Sequence, residues 1–461
     1  MYGKSPVVQL IIGSLLLVLL TASAASPNGP AVPELAPVGP STFRPPKIIG
    51  WPGGKTPAAP AGFVVRRFAE NLDSPRWLLA LPNGDVLVSQ SRSERLAGMP
   101  DDVIQALTQL DFFGPSANNI ILLRDTDDGI TQSILIEALN LPHGMLLLGG
   151  YLYVANTDAL MRFPFRPGQA RIDARGEKIL AIPAGEQTNY WNNHWTRNVI
   201  ASADGEKIYL TVGAGTNANE NGVEHPERAA IWEINPDGTG KRLYATGLRN
   251  PVGIDLQPVS GDLWATVNER DGLGEDVPPD FLTRVVDGAF YGWPYVYYGT
   301  YPDPFHAQAN PDQVAAAQKL ARVPDLALGG HSVPLGLRFY RGSRFPEKYR
   351  RGAFVARRGG VSRAEFLGYD VVFIPFENGV PTGVIEPFLT GFIADRTLGT
   401  VHGRPVAIAE LADGSLLISD DAGNTVWRVS YVDVAPAKLQ DLALPNGDVL
   451  VSQSRPASDW N

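Results

Sequence analysis

A chain of 461 residues with 44% hydrophobic and 19% charged positions is globular and long enough to bury a large core. Its net charge of -9 argues against nucleic acid as a partner, because the phosphate backbone is bound by a basic face. With no Cys there is no disulfide, no thiolate nucleophile and no Cys-based metal site.

Lys4 precedes an apolar run, Val7 to Leu20, and then Thr21-Ala22-Ser23-Ala24. This reads as a secretory signal peptide over residues 1–24, cleaved after Ala24. The run is short for a membrane span, so no stable span is expected. No Cys follows that could carry a lipid. The expected address is periplasmic or secreted. Residues 25–61 are rich in Pro, Gly and Ala, a composition that does not fold alone, and read as a linker or a packed extended arm.

From Gly62 a different rhythm begins, in which short β-rich runs follow a turn containing Gly. The turns fall at Gly84, Gly150, Gly205, Gly261, Gly352 and Gly414, at intervals of 66, 55, 56, 91 and 62 residues. A unit of this size built from short strands is the mark of propeller blades. A sandwich or two packed barrels would also give many short strands, but not this spacing. The expectation is an all-β protein, a six-bladed β-propeller with short helical insertions, formed as one domain by residues 62–432. The insertions are a helix from Asp102 to Leu110 and one from Pro311 to Arg322, the latter inside the longest interval. In the tail, residues 433–461, the segment Leu442 to Arg455 repeats Leu79 to Arg92 residue for residue, more like a recent duplication than a blade.

Two apparent motifs carry little. Gly213-Ala214-Gly215-Thr216-Asn217-Ala218 fits a dinucleotide fingerprint, yet Asn219-Glu220-Asn221-Gly222 does not begin the helix that would face a pyrophosphate. Asp125-Thr126-Asp127-Asp128-Gly129 resembles the head of a calcium loop, but Ile136 stands where a bidentate Glu is required, so it reads as a β-turn.

More is concentrated between Gly247 and Pro294. Arg249 and Asn250 head an apolar strand. The next strand ends in an acidic loop, Asn268 to Asp280, which contains Asp271, Glu275 and Asp276, and an aromatic segment, Phe290 to Tyr298, follows. Such a set suits a planar anion and a hard cation, although the same carboxylates could merely solvate a loop. His194, in Asn192-Asn193-His194-Trp195, precedes a strand pair and could accept a proton; His143, in Leu141-Pro142-His143-Gly144, holds the matching point one unit earlier. Either could equally be a hydrogen-bonded loop His. With Arg249, the pair Arg357 and Arg358 and the lone Arg404 would, if gathered at one channel mouth, bind several carboxylates; singly, each reads as a surface salt bridge.

Leu248 to Gly253, the strand Asp262 to Val267 with its acidic loop, Tyr291-Gly292-Trp293-Pro294, His194 with its strand and Arg404 to Tyr431 resemble the soluble pyrroloquinoline quinone-dependent sugar dehydrogenases, most of all the sorbosone dehydrogenase-like branch. The resemblance spans roughly residues 62 to 432. It implies a quinone over the channel mouth and a calcium ion that polarises its carbonyl. It makes His194 the base, and Arg249, Asn250, Arg357 or Arg358, Arg404 and, less directly, His143 the cofactor-binding residues. The calcium would sit near Arg270 and Asp271, largely on backbone carbonyls, with Asp276 a side-chain candidate. Here Asn268-Glu269-Arg270-Asp271 replaces the Gly-Pro pair of the sugar dehydrogenases. Tyr291 and Trp293, or Trp191 and Trp195, would floor the site. The substrate implied is an aldose or a sugar-derived aldehyde, with an external electron acceptor. The alternatives are a calcium-dependent lactonase-type hydrolase with converging carboxylates, and a non-catalytic binding propeller.

Overall fold

The computed structural model describes residues 30, 32–94, 101–109, 113–184, 192, 194–220, 222 and 224–432. The signal-peptide region, the repeated tail segment, Trp191 and Leu110 lie outside the described residues.

Strands dominate, in short meanders. Sheet I comprises Pro75–Ala80, Val86–Gln90, Asn119–Thr126 and Gly129–Ile136. Sheet II comprises Met145–Leu148, Tyr151–Ala155, Ala159–Pro164 and Glu177–Ala181. Sheet III runs through Val199–Ala201, Ile208–Val212, Ala230–Ile234 and Arg242–Thr246. Sheet IV takes Asn250–Leu256, Leu263–Asn268, Pro279–Arg284 and Leu326–Gly330. Sheet V takes Pro334–Phe339, Gly352–Arg357, Asp370–Glu377 and Glu386–Leu389, plus the short Val380–Pro381. In sheet VI, Pro405–Glu410, Leu416–Asp420 and Thr425–Tyr431 are completed by Phe63–Ala69 from the start of the ring. All these pairings are antiparallel.

The recurring Gly turns mark the first hairpin of each sheet. Gly84, Gly150, Gly205, Gly261 and Gly414 hold φ between +74° and +90°, a region that favours Gly over residues with a Cβ. Gly352 instead opens the second strand of sheet V, where an added Cβ would press on Phe373 and the Ile374 carbonyl.

Buried hydrogen bonds tie each of five sheets to the start of the next sheet's first strand. Ser89 Oγ donates to the His143 carbonyl (2.8 Å) and Gly144 N–H to the Arg197 carbonyl (2.8 Å). Asn198 Nδ2 donates to the Val252 carbonyl (2.9 Å), Thr266 Oγ1 to Leu335 (3.1 Å) and Ser419 Oγ to Arg76 (2.6 Å). Between sheets V and VI the backbones approach so closely that a Cβ on Gly336 would lie 2.6 Å from the Val406 carbonyl. Ser89, Thr266 and Ser419 also accept the N–H of Trp77, Gly253 and Ala407, which are freed where each first strand bulges. Each hydroxyl thus satisfies one donor of its own sheet and one acceptor of the next. A cavity of about 180 Å³ is lined by Trp77, Met145, Val199, Ile254, Leu337 and Ile408, one residue from the first strand of every sheet. The sheets therefore stand around a common axis, an all-β arrangement consistent with a propeller.

Among the described residues the α-helical insertions are Asp101–Gln109, Pro304–Ala309 and Pro311–Leu320. The middle one is absent from the sequence reading; Asp303 caps it, accepting from the N–H groups of Phe305 and His306. The Pro-rich segment is a packed arm. Gly39 N–H donates to Leu273, Lys47–Ile48 pairs in parallel with Thr400–Val401, and Trp51 Nε1 donates to Asp420 (2.7 Å). At Asp127-Asp128 the chain makes the turn of a hairpin, and Gly213 to Ala218 is a loop. Among the described residues no helix is long and apolar enough to cross a membrane.

Candidate functional site

In a meander the first strand starts, and the second ends, at the same rim. Because the ties meet the starts of the first strands, six starts and six ends share one face of the ring. Arg76, His143, His194, Arg249, Asn250 and Arg404 stand at or just before first strands. Gly213, Glu269, Arg357, Arg358 and Asp421 stand at the ends of second strands.

Two groups form there. In the first, Asp421 is buried and receives three guanidinium groups: Arg358 Nε (2.7 Å), Arg404 Nε (2.9 Å) and Arg76 NH1. Burial pushes this carboxyl up, but the charges of Arg358, Arg404 and Arg76 overcome that and hold it well below the usual carboxylate range. Among the described residues Asp421 is the carboxylate on which these three cations converge. Burial lowers Arg76 to about 10, and its guanidinium lies 5.3 Å from the Trp195 ring centroid. Arg357 does not join this group, since it forms a two-point pair with Asp370 (2.8 and 2.7 Å).

The second group surrounds His194. Its Nδ1 lies 2.6 Å from the Ala214 carbonyl, which can only accept, so Nδ1 carries the hydrogen and Nε2 keeps its lone pair. Burial, then the charge of Arg249, hold the ring well below the ordinary His range, so it is neutral at pH 7. Arg249 binds Asn217 through its carbonyl and Oδ1 (2.8 Å each) and the Glu269 carbonyl (2.5 Å). Asn250 Oδ1 is buried without a hydrogen-bond partner, and a Cβ on Gly213 would collide with it while lying 2.7 Å from His194 Cβ.

His143 is fully buried against Trp77, with ring centroids 5.0 Å apart, and neither ring nitrogen has a hydrogen-bond partner. Burial, with Arg76 nearby, keeps it neutral. Of the residues singled out for a metal, Asp271 accepts from Ser362 Oγ (2.8 Å) and pairs with His331 Nδ1 (3.1 Å). Arg270 pairs with Asp303, and Asp276 with Arg363 (2.8 Å). Among the described residues no group of three or more His, Asp or Glu side chains gathers to hold a metal ion, the cage that the hydrolase alternative calls for. Trp293 is buried and donates to the Asn217 carbonyl (3.2 Å), while Tyr291 is tied to Arg284 away from it.

Sequence reasoning passed over Arg76 and Asp421. Ser74-Pro75-Arg76 repeats the strand-opening Pro of Asn250-Pro251 and Arg404-Pro405, and Asp420-Asp421 ends a second strand as Arg357-Arg358 does. That register was the available signal.

Solved structures share this arrangement. The iodide structure of a Trichoderma reesei carbohydrate-active enzyme of family AA12 aligns at TM-score 0.64, with 19% identity over 85% of this chain and 98% of that one. The holo pyranose dehydrogenase PQQ domain of Coprinopsis cinerea gives TM-score 0.62, with 20% identity over 83% and 100%. The PQQ-bound aldose sugar dehydrogenase of Streptomyces coelicolor gives 0.54, with 16% identity over 81% and 99%. At these identities the likeness is one of fold. An uncharacterized protein of Borreliella burgdorferi is 30% identical over 247 residues, 52% of this chain, and the match spans 61% of that relative's length. Residues 155–358, which hold His194, Arg249, Asn250, Arg270, Asp271, Asp276, Arg357 and Arg358, match the glucose / sorbosone dehydrogenase family. That match covers less than half of the chain, and over it the sequence is similar to the glucose and sorbosone dehydrogenases, the family it resembles.

Proposed function

We propose that this protein is a periplasmic or secreted six-bladed propeller, each sheet being one blade, that oxidises an aldose or a sugar-derived aldehyde such as sorbosone with pyrroloquinoline quinone and Ca²⁺. The observation that carries the reading is a neutral His194 with a bare Nε2 beside Arg249 and Asn250, on the rim that also carries the three-arginine group.

The residues fit a planar polycarboxylate. Among the described residues three guanidinium groups converge on the carboxylate of Asp421, and the Asn250 side chain is buried with Oδ1 unpartnered. Arg76, Arg358 and Arg404 would hold the carboxylates, and Arg249 and Asn250 the opposite edge. When bound, the quinone would supply the acceptor for the substrate's hydride. His194 takes the hydroxyl proton on Nε2, and the cation so formed, disfavoured beside Arg249, passes the proton on to water. Trp195 and Trp293 give an apolar surround that limits water. A calcium ion takes six to eight oxygens. Asp271 and the carbonyls of its loop would supply some, with Asp276 available only if it leaves Arg363, and the remainder would come from cofactor and water.

Reconstitution of the protein with the quinone and Ca²⁺ tests the reading by dye reduction with aldoses and sorbosone. Turnover should appear only with both, and His194→Gln should bind the quinone without turning over. Full turnover in that variant removes His194 as the base; quinone that binds with no sugar oxidised removes the substrate class.

A further inference from the structure

We infer that Arg228 is a positioning residue that decides which nitrogen of His194 is free, by locking the carbonyl to which the ring is tied. This rests on the reading of His194 as the base. The Arg228 side chain is 1% exposed and lies beyond the ring. Its Nε donates to the Gly213 carbonyl (2.7 Å), and its NH2 to the Ala214 carbonyl (3.0 Å), the His194 carbonyl (3.1 Å) and Asn192 Oδ1 (2.7 Å). One guanidinium therefore joins the end of a second strand to the residues before the first strand of the same sheet.

The Ala214 carbonyl is the junction. It accepts from Arg228 and from His194 Nδ1, so both of its lone pairs are used and its direction is fixed. Glu224 braces the same loop from the other side, accepting from Gly215 N–H (2.9 Å), Thr216 N–H (3.0 Å) and Thr216 Oγ1 (3.0 Å). Arg197 NH1 adds a second hold on the His194 carbonyl (2.6 Å) but does not touch the carbonyl that receives the ring. Remove Arg228 and the peptide after Ala214 keeps only the Gly215 N–H bond to Glu224, whose carboxylate loses its own partner Arg228 Nε at 3.8 Å, so the carbonyl is freer to turn. Nδ1–H then loses its acceptor, and a free neutral imidazole prefers its hydrogen on Nε2, where a base needs a lone pair. The device fixes a tautomer through a planar fork, which a single ammonium cannot copy.

The readout is the tautomer itself. Apo-protein labelled with ¹⁵N in histidine, observed at pH 7.5 by long-range ¹H–¹⁵N correlation, reports which nitrogen of each ring is protonated; His194→Gln assigns the signals. Wild type should show His194 with hydrogen on Nδ1, whereas Arg228→Met and Arg228→Lys should show Nε2–H. In reconstituted enzyme both variants should lose kcat on the order of 100-fold, the lower part of the range for a positioned base, with sugar KM within about 2-fold. Should Arg228→Met not fold, Arg228→Lys decides, since it keeps the charge and loses the fork. An unchanged Nδ1–H signal in a folded variant overturns the inference. A shifted tautomer with unchanged kcat leaves Arg228's hold on the ring standing and sinks the base assignment instead.

Discussion

Replacing Asp421 by Asn keeps the shape and one acceptor but removes the negative charge that Arg76, Arg358 and Arg404 share. Breaking a buried ion pair from one side costs about 3–5 kcal/mol. The side chains of Arg76 and Arg404 are 9% and 6% exposed, but that of Arg358 is 21% exposed and partly screened, so the low end, about 3 kcal/mol, is expected. With roughly 2 cal/mol/K of unfolding entropy per residue, a ring running from residue 63 to 431 should then lose about 4 °C of Tm at pH 7. The carboxyl's folded pKa is depressed, so its stabilisation is present above the unfolded value of about 3.9 and is lost as pH falls below it. The gap between wild type and variant should therefore be full at pH 7 and shrink below about pH 4. Sulfate should raise the Tm of the variant more than that of wild type, by seating an anion among the arginines. Scanning calorimetry from pH 3 to 7 measures all of this, and a variant within 1 °C of wild type at pH 7 would refute the electrostatic account of the group.

The hydroxyl ties between sheets are open to the same treatment. Ser419→Ala and Thr266→Val each leave a buried carbonyl and a bulge N–H without partners and should cost about 1–3 kcal/mol, read as a lower urea midpoint at unchanged m. The two lie at different junctions, so the double variant should be additive within about 0.5 kcal/mol. Gly213→Ala should leave the ring folded by circular dichroism yet abolish turnover, because the new methyl occupies the space of Asn250 Oδ1 and crowds His194; turnover at the wild-type rate would show that the side chains yield without consequence.

The ring was legible because turns and alternation are local. A Gly beside Asp or Asn lies in the first hairpin of four of the six sheets, at Gly84, Gly205, Gly261 and Gly414, and five of the six marker glycines hold the positive φ that makes Gly preferable there. The site was legible only in part. Arg357 and Arg358 could not be ranked, since neighbours on a strand point to opposite faces and only packing says that Asp370 takes one and Asp421 the other. Arg76 sits in an ordinary strand, 345 residues before the carboxylate that binds it. The arm read as linker or packed strap alike, because Pro and Gly report a lack of self-folding and are silent on whether a surface receives the chain.

Sheet VI is sewn from both ends of the ring, with Phe63 opposite Tyr431 and Val432 N–H on the Gly62 carbonyl (2.9 Å). The strand Phe63–Ala69 is made well before its partner Thr425–Tyr431 and until then holds out an open edge of the kind that recruits other chains. Truncation anywhere before Thr425 would leave that edge bare for good, so damage near the finish of the polypeptide should register as clumping of its beginning. Fully zipped, the seam behaves as a latch: it parts as a unit or stays shut.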